Sequence, residues 1–590
     1  MSVLWAVCCT LAAVAAPANP AKAFVKQQPL QIHHGDVGAN SGGGGGHPRT
    51  PSPAPFPDSH VQCSADWDKN HWPSFHLLNN VTRRANGELD MEDLNDANAI
   101  FQYRGLWHVM FQSGDGPPPY GWRWAHKVSN DLVHWYPIAD ALTPKMTENT
   151  TWDDKGACDG TLSFPDLGTA PFDGTVPVIL YGPDCGVNVS VELAVPADPD
   201  DPFLANWVNG GGEAAGHVTF EGIECQFPGR VWKSEAGPYW NMLGSLGSKG
   251  TGHWARFTSS DASLMSWKYS NSSFTEGAQA GGFSQGALFH RIPNAPAGAA
   301  GHVTHLLNNG KGDSFLLGTY DAMREVFVAS HTQRLDCSTG DNFNWVAMGP
   351  NGPDPSVDSG RLLIVGWVYG PPAPSSMSLI RDMSYDVAAR QLVSFPVPEL
   401  TKLRGAAVLE NHSLGPVAPG ALATLPLPAA VGGSADVLLS FSMHNAAAEG
   451  FGVAVRAPPH AYAGVAAVTM TVDRIGPADV AGSRNISLSF VTPDPKMDHD
   501  SNANATVLLL KGESTLDVRV LVDKSIVEFF VQRGRVAYVA CDNFYSAANS
   551  SVHVFNSGPT ATVGVSNVSV FPMGCGWTHT KPSPADLLPH

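Results

Sequence analysis

Short apolar runs, broken by turn-forming residues, dominate the hydrophobic pattern of this chain. Residues 99–103 and 106–111 are two such runs joined through Arg104-Gly105, which predicts a β-hairpin. The polar turn Asn95-Asp96 stands directly before it, so the carboxyl group of Asp96 is expected at the mouth of a sheet. Asn and Asp before a strand often form only an Asx turn, so a functional interpretation needs support from other segments.

An internal echo of the first hairpin appears further along the chain. Apolar hairpins are expected at 100–111 and 231–243, and each is followed by the same residue types in the same order. The first set is Trp124, Ala125, Ser129, Asp131, Leu132 and Trp135, and the second is Trp254, Ala255, Ser259, Asp261, Leu264 and Trp267. Self-similar β units are typical of a β-propeller, although two aromatic-rich hairpins can also be alike by chance.

The pattern changes near residues 399–405. Beyond them, Leu516, Val518, Val520 and Val522 alternate with mostly polar neighbours, and the turn at 523–525 leads into an apolar run at 526–531. This alternation predicts antiparallel strands. We therefore expect an all-β protein, with a propeller over 66–400, a C-terminal β-sandwich over 405–576 and a loose tail over 577–590.

The first 65 residues fit neither domain. Residues 1–23 hold an apolar stretch followed by small residues, which predicts a signal peptide, and residues 24–65 are rich in Gly, Pro and Ser, which predicts a disordered linker. Asn-x-Ser/Thr sequons support passage through a secretory pathway; they begin at Asn80, Asn149, Asn188, Asn271, Asn411, Asn485, Asn504, Asn549 and Asn567. A secreted or lumenal glycoprotein is expected.

Charge and cysteine usage narrow the choice of partners. The formal net charge of −18 argues against nucleic acid or an anionic membrane as the main partner, and no apolar run after the signal reaches the roughly 18 residues of a membrane span. Outside the signal peptide the cysteines are odd in number and lack CxxC spacing, so we expect neither a metal site nor a cofactor. Cys541 with Cys575 is one local option for a disulfide.

Several segments occur in the order found in one known family. They are Phe75-His76, LNDANA (94–99), GLWHVMFQ (105–112), WAHKVSNDLVHW (124–135), RLLIVGWV (361–368), SLIR (378–381), PVPEL (396–400) and VDKSIVEFF (522–530). The chain resembles glycoside hydrolase family 32, the invertases and fructan hydrolases, over about residues 72–575. The resemblance implies a five-bladed propeller with a central funnel, followed by the β-sandwich.

The resemblance also implies a retaining glycosidase whose partner is a small carbohydrate such as sucrose or a fructan. Retaining enzymes use two carboxyl groups about 5 to 5.5 Å apart, one as nucleophile and one as general acid and base. Asp96 would be the nucleophile. The fructosyl pocket would be lined by Asn95, Gln112, Tyr120, Trp122 and Trp124, although the aromatic residues could equally pack the blade core.

Two acids that the resemblance implies are missing. The family carries Arg-Asp-Pro, whose Asp holds sugar hydroxyls, where this chain reads Phe227-Pro228-Gly229-Arg230. Its general acid is a Glu, expected where this chain reads FSQGA at 283–287. Neither Ser284 nor Gln285 can donate a proton as a carboxylic acid does, and loss of that role typically costs about 10² to 10⁴ in rate.

Asp159 is the candidate replacement for the missing acid. It lies in Cys158-Asp159-Gly160-Thr161, on the predicted rim of the pocket. Two nearby carboxylates raise the pKa of one of them, which makes that group a candidate acid. Its competing role is to bond a backbone turn. Asp153 and Asp154 are weaker candidates, and Glu224 precedes the segment in which the acid is expected.

The leading hypothesis is therefore a secreted β-fructofuranosidase-type hydrolase with Asp96 as nucleophile and a non-standard acid. The alternatives are a non-catalytic carbohydrate-binding homologue and a glycosidase for a different sugar.

Overall fold

The computed structural model is built almost wholly of β-strands, as the hydrophobic pattern predicts. It describes residues 63, 72–83, 86, 88–114, 121–143, 156–169, 172–182, 191–209, 216–222, 225, 227–246, 253–270, 274–277, 288–295, 303–308, 314–338, 344–349, 361–369, 375–425, 434–445, 447–457, 468–492, 502–541, 551–577 and 582. The predicted signal peptide, nearly all of the predicted linker and most of the tail lie outside these residues. So do Tyr120, Asp153, Asp154, Glu224, Ser284 and Gln285.

The first blade contains the predicted hairpin. A separate hairpin, β1 (Val81–Arg83) with β2 (Leu89–Met91), precedes it. The blade is a meander in the order β3 (Ala97–Tyr103), β4 (Leu106–Ser113), β5 (Arg123–Ser129) and β6 (Tyr136–Leu142). Arg104 and Gly105 form the turn between β3 and β4 with positive φ angles of 46° and 87°, which confirms the hairpin.

The second blade has its own hairpin insertion. Its strands are β7 (Gly160–Ser163), β8 (Asp166–Thr169), β9 (Phe172–Asp173), β10 (Val178–Tyr181), β11 (Glu192–Pro196), β12 (Trp207–Asn209) and β13 (Gly216–His217). The sheet order is β12-β11-β10-β7, with β13 also on β11, and β8 pairs only with β9.

Blades three to five complete the ring. Blade three holds β14 (Thr219–Glu221), β15 (Phe227–Lys233), β16 (Trp240–Leu246), β17 (His253–Ser259) and β18 (Ser266–Ser270). Blade four holds β19 (Thr275–Glu276), β20 (Phe289–Arg291), β21 (His305–Asn308), β22 (Ser314–Asp321) and β23 (Val326–Arg334). Blade five holds β24 (Asn344–Gly349), β25 (Leu362–Val368), β26 (Ser376–Met377), β27 (Arg381–Asp386) and β28 (Gln391–Pro396). These sheets confirm the five-bladed propeller.

The sequence echo corresponds to one turn that recurs between the third and fourth strands of a blade. In blade three, Asp261 accepts hydrogen bonds from the backbone of Ser263 and Met265, Leu264 has a φ of 59°, and the indole of Trp267 donates to the carbonyl of Leu264 at 2.8 Å. In blade one the turn is shorter: Asp131 accepts hydrogen bonds from the backbone of Val133 and His134, and Leu132, the residue next to it, has a φ of 64°. Blade two repeats the turn with Asp201, Leu204 (φ 47°) and Trp207, a copy that the sequence comparison missed.

The first strand of each meander lies innermost, around the channel. β3 packs against β7 and β24, and β7 packs against β15. Because the blades repeat the same meander, their inner strands begin at the same end of the channel. Bulges interrupt the pairing near the beginnings of β3, β15 and β24. Bulges next to active sites commonly redirect side chains, so this end of the channel is the one where function is expected.

A 3-10 helix (Pro398–Leu403) leads from the propeller to a β-sandwich. One sheet contains β29 (Leu409–His412), β30 (Gly415–Val417), β32 (Ser434–Ser442), β37 (Thr515–Asp523), β38 (Ile526–Val531), β39 (Val536–Cys541) and β41 (Val563–Pro572). The other contains β31 (Ala421–Leu425), β33 (Phe451–Ala457), β34 (Val468–Ala478), β35 (Arg484–Val491), β36 (Asn502–Leu509) and β40 (Ser551–Asn556). Apolar side chains of both sheets share one core. The predicted strand at 526–531 is confirmed.

A disulfide and a backbone hydrogen bond join the two ends of the described chain. Cys63 forms a disulfide with Cys575, so the local option of Cys541 with Cys575 was wrong, and Cys541 is a buried thiol. The two cysteines are close in sequence but not in the sheet, because β38, β37 and β32 lie between β39, which ends at Cys541, and β41, which precedes Cys575. The amide of Gly576 donates to Ser74 O at 2.9 Å. Trp577, placed by the prediction in a loose tail, is only 8% exposed and packs near Trp72.

No helix within the described ranges is both long and apolar enough to cross a bilayer.

Candidate active site

Asp96 lies at the channel end of blade one, one residue before β3. The backbone N–H of Gln112 donates to the backbone carbonyl of Asp96 at 2.8 Å, and the backbone N–H of Asn95 donates to the backbone carbonyl of Gln112 at 2.9 Å. These two bonds extend the pairing of β3 with β4 beyond the assigned strand. The Asp96 side chain, 5% exposed, is therefore carried by a sheet edge rather than by a loop.

Two side chains outside blade one hold the segment before Asp96. Asn79 is fully buried, and its amide donates to Asp93 O and to Ser113 Oγ, each at 2.6 Å. The indole of Trp367 donates to Leu94 O at 3.1 Å. The turn that looked like a simple Asx turn is thus fixed on both sides by long-range hydrogen bonds.

Asn98 is the extra residue of the bulge at the start of β3. Ala97 pairs with Phe111 and Ala99 with Met110, which leaves Asn98 without a partner residue in the ladder. Its side chain is 8% exposed, and within the described residues its Nδ2 has no hydrogen-bond acceptor. A buried amide without a protein partner usually bonds water or a ligand. Asn98 is therefore a further candidate donor at this site.

Gln112 connects Asp96 to the second carboxyl group, that of Asp159. While its backbone is bonded to Asp96, its side-chain Nε2 donates to Oδ1 of Asp159. Asp159 is 6% exposed and directly precedes β7, the inner strand of blade two. The two candidate carboxylates thus occupy equivalent positions on adjacent blades, and Gln112 joins the backbone of Asp96 to the carboxylate of Asp159.

The backbone around Asp159 is tightly held. The Ala157 amide donates to Trp122 O at 2.6 Å, and Gly182 exchanges backbone hydrogen bonds with Cys158 and Asp159 at 2.8 and 3.0 Å. Gly156 is required here, because its φ is 122° and an added Cβ would lie 2.2 Å from Trp122 N. This close approach places the Asp159 segment against the beginning of β5.

Trp124 supports Asp159 rather than lining an open pocket. Its side chain is 0% exposed, packs in the core between blades one and two, and donates from Nε1 to Cys158 O at 2.7 Å. The predicted direct sugar contact therefore finds no accessible surface on Trp124. The physical reason is that β5 is the third strand of its blade, well behind the inner strand. Trp122, at the strand's start, is half-buried and keeps some exposed surface.

The third blade presents an aromatic side chain at the corresponding position. Phe227 begins β15, is 9% exposed and packs against Trp367. Arg230 points toward blade four, where its Nη1 donates to Phe289 O at 2.8 Å. Among the described residues at the beginnings of β15 and β20, none carries a carboxyl group. This agrees with the sequence, which has no acid at 227–230.

His290 lies beside Arg230 in blade four, with its Nδ1 3.4 Å from Nη1 of the guanidinium. Burial, followed by the charge of Arg230, lowers its pKa well below the ordinary value. His290 is therefore neutral at physiological pH and holds no readily donated proton. No group of three His, Cys, Asp or Glu side chains in the described part of the chain could hold a metal ion.

Sequence reasoning missed Asn79, Asn98 and Trp367 as parts of this site. Asn79 follows the Phe75-His76 segment, and Trp367 lies within a segment that the family resemblance included, so their proximity could have been suspected. The hydrogen bonds that Asn79 and Trp367 form could not have been predicted, because bonds between segments so far apart depend on closure of the propeller ring.

Two family profiles match this chain, one over the propeller and one over the sandwich. Residues 90–396 match the profile of the Glycosyl hydrolases family 32 N-terminal domain, and residues 399–572 match that of the family 32 C terminal domain. The sucrose:sucrose 1-fructosyltransferase of Festuca arundinacea is 24% identical over 549 residues, covering 82% of this chain and 79% of that protein. The vacuolar acid β-fructofuranosidase 4 of Arabidopsis thaliana is 25% identical over 553 residues, covering 82% and 78%.

Solved structures show the same fold. Fructan 1-exohydrolase IIa from Cichorium intybus superposes with a TM-score of 0.68 at 20% identity, covering 86% of this chain and 98% of that one. Exo-inulinase from Aspergillus awamori gives 0.59 at 17% identity, with 86% and 99% covered. From these matches, this chain belongs to glycosyl hydrolase family 32.

Proposed function

We propose that this protein hydrolyses β-fructosyl bonds of sucrose or a fructan with retention of configuration. The observation that carries the proposal is the bridge made by Gln112, whose backbone bonds Asp96 and whose side chain bonds Asp159. A retaining glycosidase needs two carboxyl groups on either side of the scissile bond. Family membership and the names of the relatives support fructosyl substrates.

In the proposed reaction, the Asp96 carboxylate attacks the anomeric carbon while Asp159 gives its proton to the departing oxygen. This forms a fructosyl ester on Asp96 and releases the leaving sugar. Asp159, now a carboxylate, then takes a proton from water as that water attacks the ester, which frees fructose and restores both groups. Gln112 would keep the two side chains in register during both steps.

The sugar would be bound by side chains around these carboxyl groups. Asn95 and Trp122 are half-buried beside them, and Asn98 offers an amide donor from the bulge. Gln112 and Tyr120 remain proposed contacts, the latter outside the described residues. Trp124 acts in this proposal through Cys158, by holding the backbone that carries Asp159.

A second candidate function is sugar binding without catalysis. The observation that favours it is Phe227, which packs on Trp367 at the channel end of blade three where the resemblance implies an acid. The acid implied there is the Asp that holds sugar hydroxyls, and the Glu implied as general acid is also missing from the sequence at 283–287. Without these two acids the fold would still present a sugar-sized site, since folds outlast the sites they carry.

Passage through a secretory pathway is part of the proposal. The N-terminal pattern that predicts a signal peptide and the several sequons support it. A vacuolar name among the relatives agrees with such a route.

The test compares wild type with Asp96→Asn, Asp159→Asn and the control Asp173→Asn. Asp173 is an exposed carboxylate of blade two whose Oδ1 accepts a hydrogen bond from Thr175 in its own turn. Each protein is incubated with sucrose, inulin and aryl glycosides, and free sugar is measured. Release by wild type and by the control, with loss in both other variants, supports the proposed mechanism.

Three other outcomes separate the alternatives. Equal release by wild type and Asp96→Asn removes Asp96 from the mechanism, and unchanged release by Asp159→Asn removes Asp159. Sugar binding in calorimetry without any turnover favours the binding protein. Turnover of an aryl pyranoside but not of sucrose identifies a different sugar specificity.

A further inference from the structure

A cavity of about 320 Å³ lies where the propeller meets the β-sandwich. Its walls come from β23 of blade four, from the turn between β27 and β28 of blade five, and from β36 and β39 of the sandwich. Pockets for small molecules have volumes of roughly 300–1,000 Å³. The inner strands that follow Asp96 and Asp159 contribute nothing to these walls, so the cavity is separate from the candidate active site.

The lining of this cavity is basic. It contains Arg334, Arg390, Arg535 and His331, whereas none of its described lining residues is an Asp or a Glu. The chain as a whole carries a formal net charge of −18, and a cavity walled by cations in such a protein attracts anions by its local positive potential. The described lining residues also include no Phe, Tyr or Trp, so the cavity offers charge and hydrogen bonds rather than a stacking surface.

Arg535 anchors the cavity wall. Its Nε and Nη2 donate to Oδ2 of Asp386 at 3.0 and 2.9 Å, and its Nη1 and Nη2 donate to the two carboxylate oxygens of Glu513. Nη1 also donates to the carbonyl of Leu508 at 2.8 Å. These bonds tie blade five to the sandwich and neutralise the Arg535 charge, so the other basic groups must supply the attraction for an anion.

Arg334 and Arg390 supply that attraction. Both side chains are exposed, Arg334 at the end of β23 and Arg390 in the β27–β28 turn with a φ of 56°. Nη2 of Arg334 donates to the carbonyl of Ser338, which fixes the direction of the guanidinium. Burial, followed by the charge of Arg390, lowers the pKa of His331. The Arg390 charge therefore acts inside the cavity, on a residue of the neighbouring blade.

We propose that this cavity binds a small molecule carrying a phosphate group, with Arg334 and Arg390 on the phosphate oxygens. The guanidinium fork matches phosphate with two parallel hydrogen bonds, and charge-assisted bonds of this kind are stronger than neutral ones. The volume accommodates a phosphate ester as well as the free ion. None of these groups takes part in the proposed reaction, so the phosphate site does not depend on the proposed function.

The test is calorimetry on wild type, Arg334→Gln, Arg390→Gln and the control Arg324→Gln. Arg324 lies just before β23, at the end opposite Arg334; its side chain is exposed and pairs with Glu276, and it does not line the cavity. Inorganic phosphate and glucose 6-phosphate are each titrated into the four proteins at constant ionic strength, because salt screens such contacts. Matching midpoints of thermal unfolding verify that each variant is folded.

The phosphate site predicts the same Kd for wild type and the control, and a Kd raised about ten-fold or more in each cavity variant. Tighter binding of glucose 6-phosphate than of inorganic phosphate would identify an ester as the ligand, and equal or weaker binding would identify the free ion. No binding of either probe by wild type, or a Kd unchanged in either Arg334→Gln or Arg390→Gln, would overturn the proposal.

Discussion

Nδ1 of His76 lies 2.9 Å from Oδ2 of Asp523, although 447 residues separate the two along the chain. The same carboxylate accepts backbone hydrogen bonds from Ser74 and Phe75 at 2.6 and 2.8 Å. Nε2 of His76 faces Glu528 at 3.2 Å. This buried group joins the segment that precedes the propeller to the β37–β38 hairpin of the sandwich.

The His76 contacts predict a specific dependence of stability on pH. Burial lowers the pKa of His76, but hydrogen bonds and charges from Asp523 and Glu528 outweigh it and raise the pKa to about 9. The folded-state pKa exceeds the unfolded value of about 6.5, so the stabilisation is complete below pH 6.5 and lost as pH rises through 9. Its full size is roughly 3 kcal/mol.

The measurement is the free energy of unfolding in urea at pH 5.5 and 9.5, for wild type and His76→Gln. The difference between the two proteins should shrink by roughly 3 kcal/mol at the higher pH. Lys127 acts in the opposite direction, because burial lowers its pKa to about 7, but it is present in both proteins. A difference that stays constant over this range would show that His76 does not change protonation there.

Trp124→Phe should impair turnover without weakening sugar binding. The change removes the hydrogen bond from Nε1 to Cys158 O, which holds the Asp159 segment, and Trp124 has no exposed surface to contact a ligand. A net hydrogen bond of about 0.5–1.5 kcal/mol predicts a fall in kcat of about two- to ten-fold. Steady-state kinetics on sucrose would separate kcat from KM.

Trp267→Phe is the matched control for that prediction. Trp267 is 1% exposed and its Nε1 also donates to a backbone carbonyl, that of Leu264, but it lies in the outer turn of blade three. Its replacement should leave kcat unchanged. A rise in KM with constant kcat for Trp124→Phe would instead indicate direct contact with the sugar.

Removing the disulfide should destabilise the whole unit. Cys63 and Cys575 are 512 residues apart in sequence, so their bond closes nearly the entire described chain. The double variant Cys63→Ser/Cys575→Ser should lose about 2–5 kcal/mol of unfolding free energy. Variants are preferable to a reductant because Cys158 is also disulfide-bonded. Identical urea unfolding curves for wild type and the double variant would show that the crosslink contributes nothing.

Asn80 should carry no glycan despite its sequon. Its Nδ2 donates to Glu92 at 3.0 Å and its Oδ1 accepts from the buried Nζ of Lys127 at 3.0 Å. A glycan on Nδ2 would disturb this arrangement around the buried Lys127 amine, a polar group whose burial costs free energy unless it is hydrogen-bonded. Peptide mass spectrometry of protein secreted from a glycosylating host checks this, with exposed Asn485 as the comparison site. Full occupancy of Asn80 in folded protein would contradict it.

Local pattern was enough to place much of the fold. The hairpin at Arg104-Gly105 and the strand at 526–531 appear where apolar runs and turn residues predicted them, because a short apolar run bounded by turn residues predicts a strand buried on both faces. The echo of Asp131 and Asp261 indicated the blade repeat. The copy formed by Asp201, Leu204 and Trp207 was missed because a different sequence precedes it.

By itself, the sequence determined the all-β class, the division into propeller and sandwich, and the place of Asp96 before an inner strand. Only the tertiary structure decided that Gln112 bridges Asp96 to Asp159, that Trp124 is buried behind them, and that Phe227 meets Trp367 across the channel. The physical reason is that periodicity fixes which face of a strand is apolar, whereas these contacts arise from ring closure, which brings together segments with no local signal for one another.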